Sequence, residues 1–144
     1  MQLPIPKELK GVSKLNVEEI FYKIISCSIE VHKELGPGLL EQINEQCLKV
    51  ELRNNHLSFE FQTPKEIIYK GESTGKFYKL DLLVEDLVVI ELKRVSEINP
   101  IHVAQLINYL NIFRKPKGLL MNFNTTHLMS STNTYVSKYY KLLE

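Results

Sequence analysis

The chain has 144 residues, a net charge of +1, 44% hydrophobic residues and 24% charged residues. This is the size and make-up of one ordinary globular domain with a real core. The near-neutral balance excludes a global basic field and counts against tight non-specific nucleic-acid binding, while leaving room for a local basic patch. No apolar run approaches the roughly 18 residues of a membrane span and nothing resembles a signal peptide, so the cytoplasm is the expected compartment.

Residues 1–15, MQLPIPKELKGVSKL, are polar with two prolines and are expected to lie loosely over the surface. Asn16 followed by Glu19 predicts an N-cap with its capping-box partner. The stretch NVEEIFYKIISCSIEVHKEL then carries Ile20, Ile24, Cys27, Val31 and Leu35 at helical spacing, widened by Ile25 and Ile29. Gly36-Pro37-Gly38 ends that helix. A second helix is expected over 39–54, with Leu40, Ile43, Cys47, Leu48, Val50 and Leu52 as its inward positions. Cys27 and Cys47 both fall in these helical patterns without paired metal spacing and read as buried free thiols.

Three β-type segments follow: LSFEFQTPKEIIY, FYKLDLLVE and LVVIELKRV. Pro64 makes the first bent or an edge strand, and 71–75 is turn chemistry. Asn99-Pro100 opens a third helix, IHVAQLINYLNIF. Lys115-Pro116-Lys117-Gly118 ends it, and GLLMNF reads as a last buried strand. The order of helix, helix, three strands, helix and strand predicts an α/β domain around a mixed sheet. Three parts are expected: a loose segment 1–15, a domain 16–124, and an extension 125–144 with a short amphipathic helix packed on the domain.

The hairpin KLDLLVEDLVVIELKRV holds the chemistry. Successive strand side chains alternate faces, so Glu91 and Lys93 project together with Leu92 between them pointing into the core. If Asp81 faces Glu91, Val84 pairs with Val88 and the connection is the three residues 85–87; a two-residue turn would put Asp81 on the wrong face. In that register Leu80, Leu82, Val84, Val88, Ile90 and Leu92 form one apolar face. Leu83 and Val89 join Asp81, Glu91 and Lys93 on the other. Two carboxylates and an ammonium suit Mg²⁺ with a Lys beside the attacking water. They also suit a salt-bridged patch of small energetic worth, ~0–1 kcal/mol per pair. Both readings stand on the residues alone.

Other polar residues carry the same ambiguity. Glu41 is either a site carboxylate or a charge favouring the positive end of its helix. Gln105 and Tyr109, spaced i, i+4, share a helical face and either orient a carboxylate or phosphate or form a polar flank. His32 most simply holds the helix–helix corner, His102 is peripheral, and His56 and His127 are loop or surface residues.

EVHKELGPGLLEQINEQCL, LDLLVEDLVVIELKRV, INPIHVAQLINYL and GLLMNFN, in that order, resemble the GxxExxY proteins, a bacterial family of the PD-(D/E)xK nuclease-like superfamily. The resemblance spans about residues 16–124. It implies a restriction-endonuclease-like α/β core, a central mixed sheet of about four strands flanked by helices, with a metal site at a break between strands. It further implies Asp81 and Glu91 as metal ligands, Glu41 as the helical acid, Lys93 as the catalytic Lys, and Gln105 with Tyr109 as a Gln-x-x-x-Tyr pair. The signature's Tyr falls at Asn44.

The function expected is Mg²⁺-dependent hydrolysis of nucleic acid, with DNA the first choice and Mn²⁺ as substitute metal. Lys70, Arg94, Lys115 and Lys117 are candidate phosphate contacts. The alternative is a non-catalytic module binding nucleic acid or protein on a nuclease-like scaffold. No membrane partner is expected, and homo-oligomerisation is left open.

Overall fold

The computed structural model of the chain describes residues 3–144. Helix α1 (Lys14–Leu35) starts where Ser13 Oγ accepts a hydrogen bond from the Asn16 amide and Asn16 accepts one from the Ser13 amide, each 3.0 Å. Asn16 is thus the capping-box partner and Ser13 the cap, three residues earlier than expected. Met1 and Gln2 of the segment expected to lie loosely are outside the described residues. Within the rest, Lys7–Leu9 form a 3-10 turn that buries Leu9 fully in the core, so an apolar anchor holds this part down.

Gly36 and Gly38 take φ of 70° and 95°, which L side chains rarely adopt, and the chain reverses there into α2 (Glu41–Asn54). The inward face of α2 is Asn44, Glu45, Leu48 and Leu52. Leu40, Ile43 and Val50, expected inside, are exposed, as is Ile29 of α1. The helix is turned so that Glu41 and Glu45 look along the end of the sheet, which sends the Leu40–Ile43–Val50 stripe outward.

The strands are β1 (Phe59–Phe61), β2 (Pro64–Tyr69), β3 (Glu72–Lys79), β4 (Leu82–Val84), β5 (Val88–Lys93), β6 (Lys117–Asn122) and β7 (Thr132–Val136), with α3 (Pro100–Ile112) between β5 and β6. The central sheet, among the described residues, has five strands in the order β1-β4-β5-β6-β7, one more than the mixed sheet of about four expected and of the same kind. Only β5 and β6 are parallel, joined by the α3 crossover. The extra strand is β7, antiparallel to β6. It comes from the C-terminal segment where a helix was expected; beyond it Tyr140–Leu142 form a 3-10 turn.

Helices cover both faces, which is why β5 and β6 read as nearly continuous apolar runs. Leu82, Val84, Val88, Ile90, Leu92, Leu119 and Met121 meet α1 and α2. Leu83, Val89 and Leu120 meet Leu106 and Leu110 of α3. Leu80 belongs to this second cluster, opposite to expectation, because the chain bends between it and β4.

That bend is the main departure from a simple hairpin. Phe61 pairs with Leu82 in the central sheet, and Pro64 pairs with Lys79 in a separate two-stranded ribbon, β2-β3. The register is the same on both sides of the break, and the Gln62 amide still donates to the Asp81 carbonyl at 3.2 Å. One long hairpin therefore peels away from the sheet at Gln62–Thr63 and Leu80–Asp81. Its tip is a two-residue turn, Lys70-Gly71, with both φ positive, tighter than the 71–75 turn expected.

Gly118 of β6 lies directly under α3: a Cβ there would stand 2.9 Å from Leu106 Cδ1 and 3.0 Å from Leu110 Cδ2. Gly118→Val should cost about 1–3 kcal/mol in urea unfolding through overpacking. An unchanged midpoint would show that α3 is not seated this closely.

Candidate active site

β4 pairs with β5 through Leu82–Ile90, Leu83–Val89 and Val84–Val88, which sets Asp81 opposite Glu91, as hairpin parity requires. The connection is the three residues 85–87, with Glu85 and Asp86 at positive φ. Because β4's strand has bent away at Asp81, the next amide of β5 has no backbone acceptor there. The Asp81 carboxylate takes its place: the Leu92 amide donates to Asp81 Oδ2 at 2.8 Å, and the Asp81 amide reaches Glu91 Oε1 at 3.4 Å. Asp81 is thereby fixed against the Glu91 side chain, which is only 3% exposed.

From the other side α2 delivers two more carboxylates. Glu41, Glu45 and Asp81 each offer a ligand oxygen, all within 4.8 Å of one another. They line a cavity of about 350 Å³ with Leu40, Gln42 and Gln62. Glu45 was not singled out in the sequence, although its i+4 spacing from Glu41 puts the two on one helical face. Gln62 Nε2, at the bend, donates to Glu45 Oε2 at 3.5 Å. Arg94 Nη2 donates to the Gly38 carbonyl at 3.4 Å, linking the loop before α2 to the end of β5.

The charges oppose one another. Burial first, then the adjacent Asp81 carboxyl, push the Glu91 carboxyl well above the usual range. Glu45 is pushed up to about 7 by burial and by the charges of Asp81 and Glu41, against the pull of Lys49 and Lys93. Glu41 is raised by burial and Asp81, with Lys93 again opposing. Lys93 is close enough to act on these carboxylates yet forms no ion pair among the described residues. Clustered carboxylates that resist ionisation together, open to a cavity, match the hard oxygen donor set of a divalent cation.

The remaining expected residues scatter. Tyr109 stacks on Tyr78, with ring centroids 3.9 Å apart and planes at 24°. The Tyr78 hydroxyl is held neutral by burial and by the neighbouring Tyr109 and Glu91, so Tyr109 meets the edge of the site through Tyr78. Tyr78 itself had no sequence signal beyond being a strand aromatic. Gln105, one turn earlier, is exposed and makes no hydrogen bond among the described residues. His32 Nε2 pairs with the Thr125 carbonyl at 2.7 Å, a structural tie at the helix corner. Lys115 and Lys117 are buried in ion pairs with Asp86 (2.8 Å) and Glu18 (2.7 Å), which removes both as phosphate contacts. Lys70 and Arg94 remain exposed. Asn44 is 2% exposed, and its Oδ1 has no hydrogen-bond partner among the described residues.

A sheet with helices on both faces and an acidic cluster at a strand break is the framework of a restriction-endonuclease-like fold. The sequence profile of the PD-(D/E)XK nuclease superfamily matches residues 18–134, and the chain belongs to that superfamily. Among solved structures, the crystal structure of SSO0001 is similar at 19% identity and a TM-score of 0.47. The match covers 90% of this chain and 66% of that one, so the chain spans just under two thirds of its length. No curated protein matches the chain.

The raised Glu45 pKa carries a signed prediction. Folded Glu45 holds its proton to about 7 against an ordinary value of 4.5. It therefore favours the folded state at low pH, and that contribution is lost as pH rises through about 7. In EDTA, Glu45→Gln should flatten the fall in Tm between about pH 5 and pH 8. The same slope as wild type would overturn this electrostatic account.

Proposed function

We propose that the chain is a metal-dependent nuclease that hydrolyses phosphodiester bonds of nucleic acid, DNA being the first substrate to test. The observation carrying this reading is the Asp81–Glu91 pair at the strand break with Lys93 following on the same strand face, free of any ion pair among the described residues. Asp81, grouped with Glu41 and Glu45, and Glu91, buried beside Asp81 and outside that group, would hold Mg²⁺ or Mn²⁺. A divalent cation bound there supplies an activated water and offsets charge on the scissile phosphate. Lys93 would orient the attacking water by donating to it and offset developing charge on the phosphate oxygens. Asp81, pinned by the Leu92 amide, keeps its second oxygen toward the cavity. Tyr109 and Tyr78 wall the site on the α3 side, and Gln105 lies one turn farther along as a substrate contact.

We also infer membership of the GxxExxY branch, from Gly38, Glu41 and the segments that follow them. Asn44, in the place of that signature's Tyr, is buried under α2. A position so enclosed packs rather than touches substrate, so its change to Asn is compatible with activity.

Two variants separate metal binding from chemistry. Asp81→Asn keeps an acceptor for the Leu92 amide and should lose Mn²⁺ binding by calorimetry along with cleavage. Lys93→Met should retain Mn²⁺ binding yet cleave about 10²–10³-fold more slowly. Wild-type cleavage in either variant would sink the mechanism. A wild type that binds no metal and cuts neither DNA nor RNA would establish the non-catalytic alternative.

A further inference from the structure

The β2-β3 ribbon is thermodynamically odd. A lone two-stranded hairpin is marginal in water, and this one leaves Tyr69 64%, Phe77 60% and Ile68 49% exposed. Ile68 and Phe77 share the face turned away from the body; Tyr69, under the Lys70 ammonium at 5.5 Å, and Tyr78, which anchors the ribbon's base on Tyr109, lie on the opposite face. Lys65, Lys70, Lys76 and Lys79 outnumber the ribbon's carboxylates, Glu66 and Glu72. Lys65 is paired with Glu60 at 2.6 Å, while Lys70, Lys76 and Lys79 are exposed and make no ion pair among the described residues.

An exposed ring beside an exposed aliphatic side chain, flanked by free lysines, has the components of a single-strand binding surface: an apolar face for unpaired bases and cations for the phosphates between them. In a duplex those base faces are already stacked. The ribbon is also continuous with the candidate site, since Lys79 is followed by Leu80 and then Asp81 at the bend. A strand lying along it is delivered to the carboxylate cluster.

We propose that the ribbon, residues 64–79, is a nucleic-acid clamp that holds an unpaired strand on its outer face, by base packing on Phe77 and Ile68 and by phosphate contacts from Lys70, Lys76 and Lys79. The proposal rests on the nuclease reading and narrows it to substrates that are single-stranded beside the cut.

The test is fluorescence anisotropy with a labelled 20-nucleotide single-stranded DNA and its duplex, in EDTA and across about 50–200 mM salt. Phe77→Ala with Ile68→Ala should weaken single-strand binding roughly tenfold or more, leaving the salt slope unchanged. Lys70→Gln, Lys76→Gln and Lys79→Gln together should lower the salt slope by about 2, near 0.7 per lysine. Phe77→Tyr, which keeps the ring, and Tyr69→Ala, on the opposite face, should bind like wild type. Circular dichroism should show all variants folded, because the replaced side chains are exposed. Wild-type affinity and slope in both sets of variants would overturn the clamp. So would a loss of equal size on duplex and single strand. A wild type that hydrolyses DNA while the ribbon variants bind normally defeats the clamp and spares the nuclease. A wild type that binds the strand through the ribbon but never cuts it defeats the nuclease and spares the clamp.

Discussion

One hydrogen bond organises the site: the Leu92 amide donating to the Asp81 carboxylate. It exists because a single long hairpin peels off the central sheet at Gln62–Thr63 and Leu80–Asp81 without changing register. The departing strand strips a backbone acceptor from β5, and a buried amide left unpaired there would cost on the order of 1–3 kcal/mol. The Asp81 side chain fills that gap and is locked beside Glu91 in doing so. Chain stability and ligand geometry thus share one atom pair. A carboxylate that must accept the amide cannot swing away from the cluster.

The rest of the architecture presses charge into that corner. Apolar cover on both faces of β5 buries Glu91 on the face opposite to Ile90 and Leu92. The Gly36–Gly38 reversal points the first turn of α2 at the same place, with Asn44 and Glu45 inward and Leu40 and Ile43 outward. Turning two apolar residues to the surface while burying a carboxylate runs against the hydrophobic effect. The preference is reversed where Glu41 and Glu45 meet Asp81, as expected where local folding rules yield to a functional site.

Much of this corner was legible in the sequence. The pairing of Asp81 with Glu91 follows from strand alternation and a three-residue connection, and the glycines at 36 and 38 mark the helix reversal through their backbone freedom. The rotation of α2 was hidden, because Leu40, Ile43, Cys47 and Val50 form a regular apolar stripe that ordinarily faces the core. Glu45 was hidden with it, as one Glu among several on a helix. Pro64 marked a bend in the first strand, but that its partner leaves the sheet with it was hidden, because a strand that leaves in register has the same alternation as one that stays. Lys115 and Lys117 read as surface charge since their partners, Asp86 and Glu18, are distant in sequence.

The hairpin also sets an order of assembly. Asp81 and Glu91 are ten residues apart and meet by closing a short loop, a local event with little chain entropy to lose. Glu41 and Glu45 sit on a separate helix that must dock against negative charge already gathered. Docking of α2 therefore gathers repelling charge, which proton retention by Glu45, its pKa pushed up to about 7, relieves. A corner that holds protons where a cation would sit must release them when one binds, so any metal uptake there would acidify an unbuffered solution.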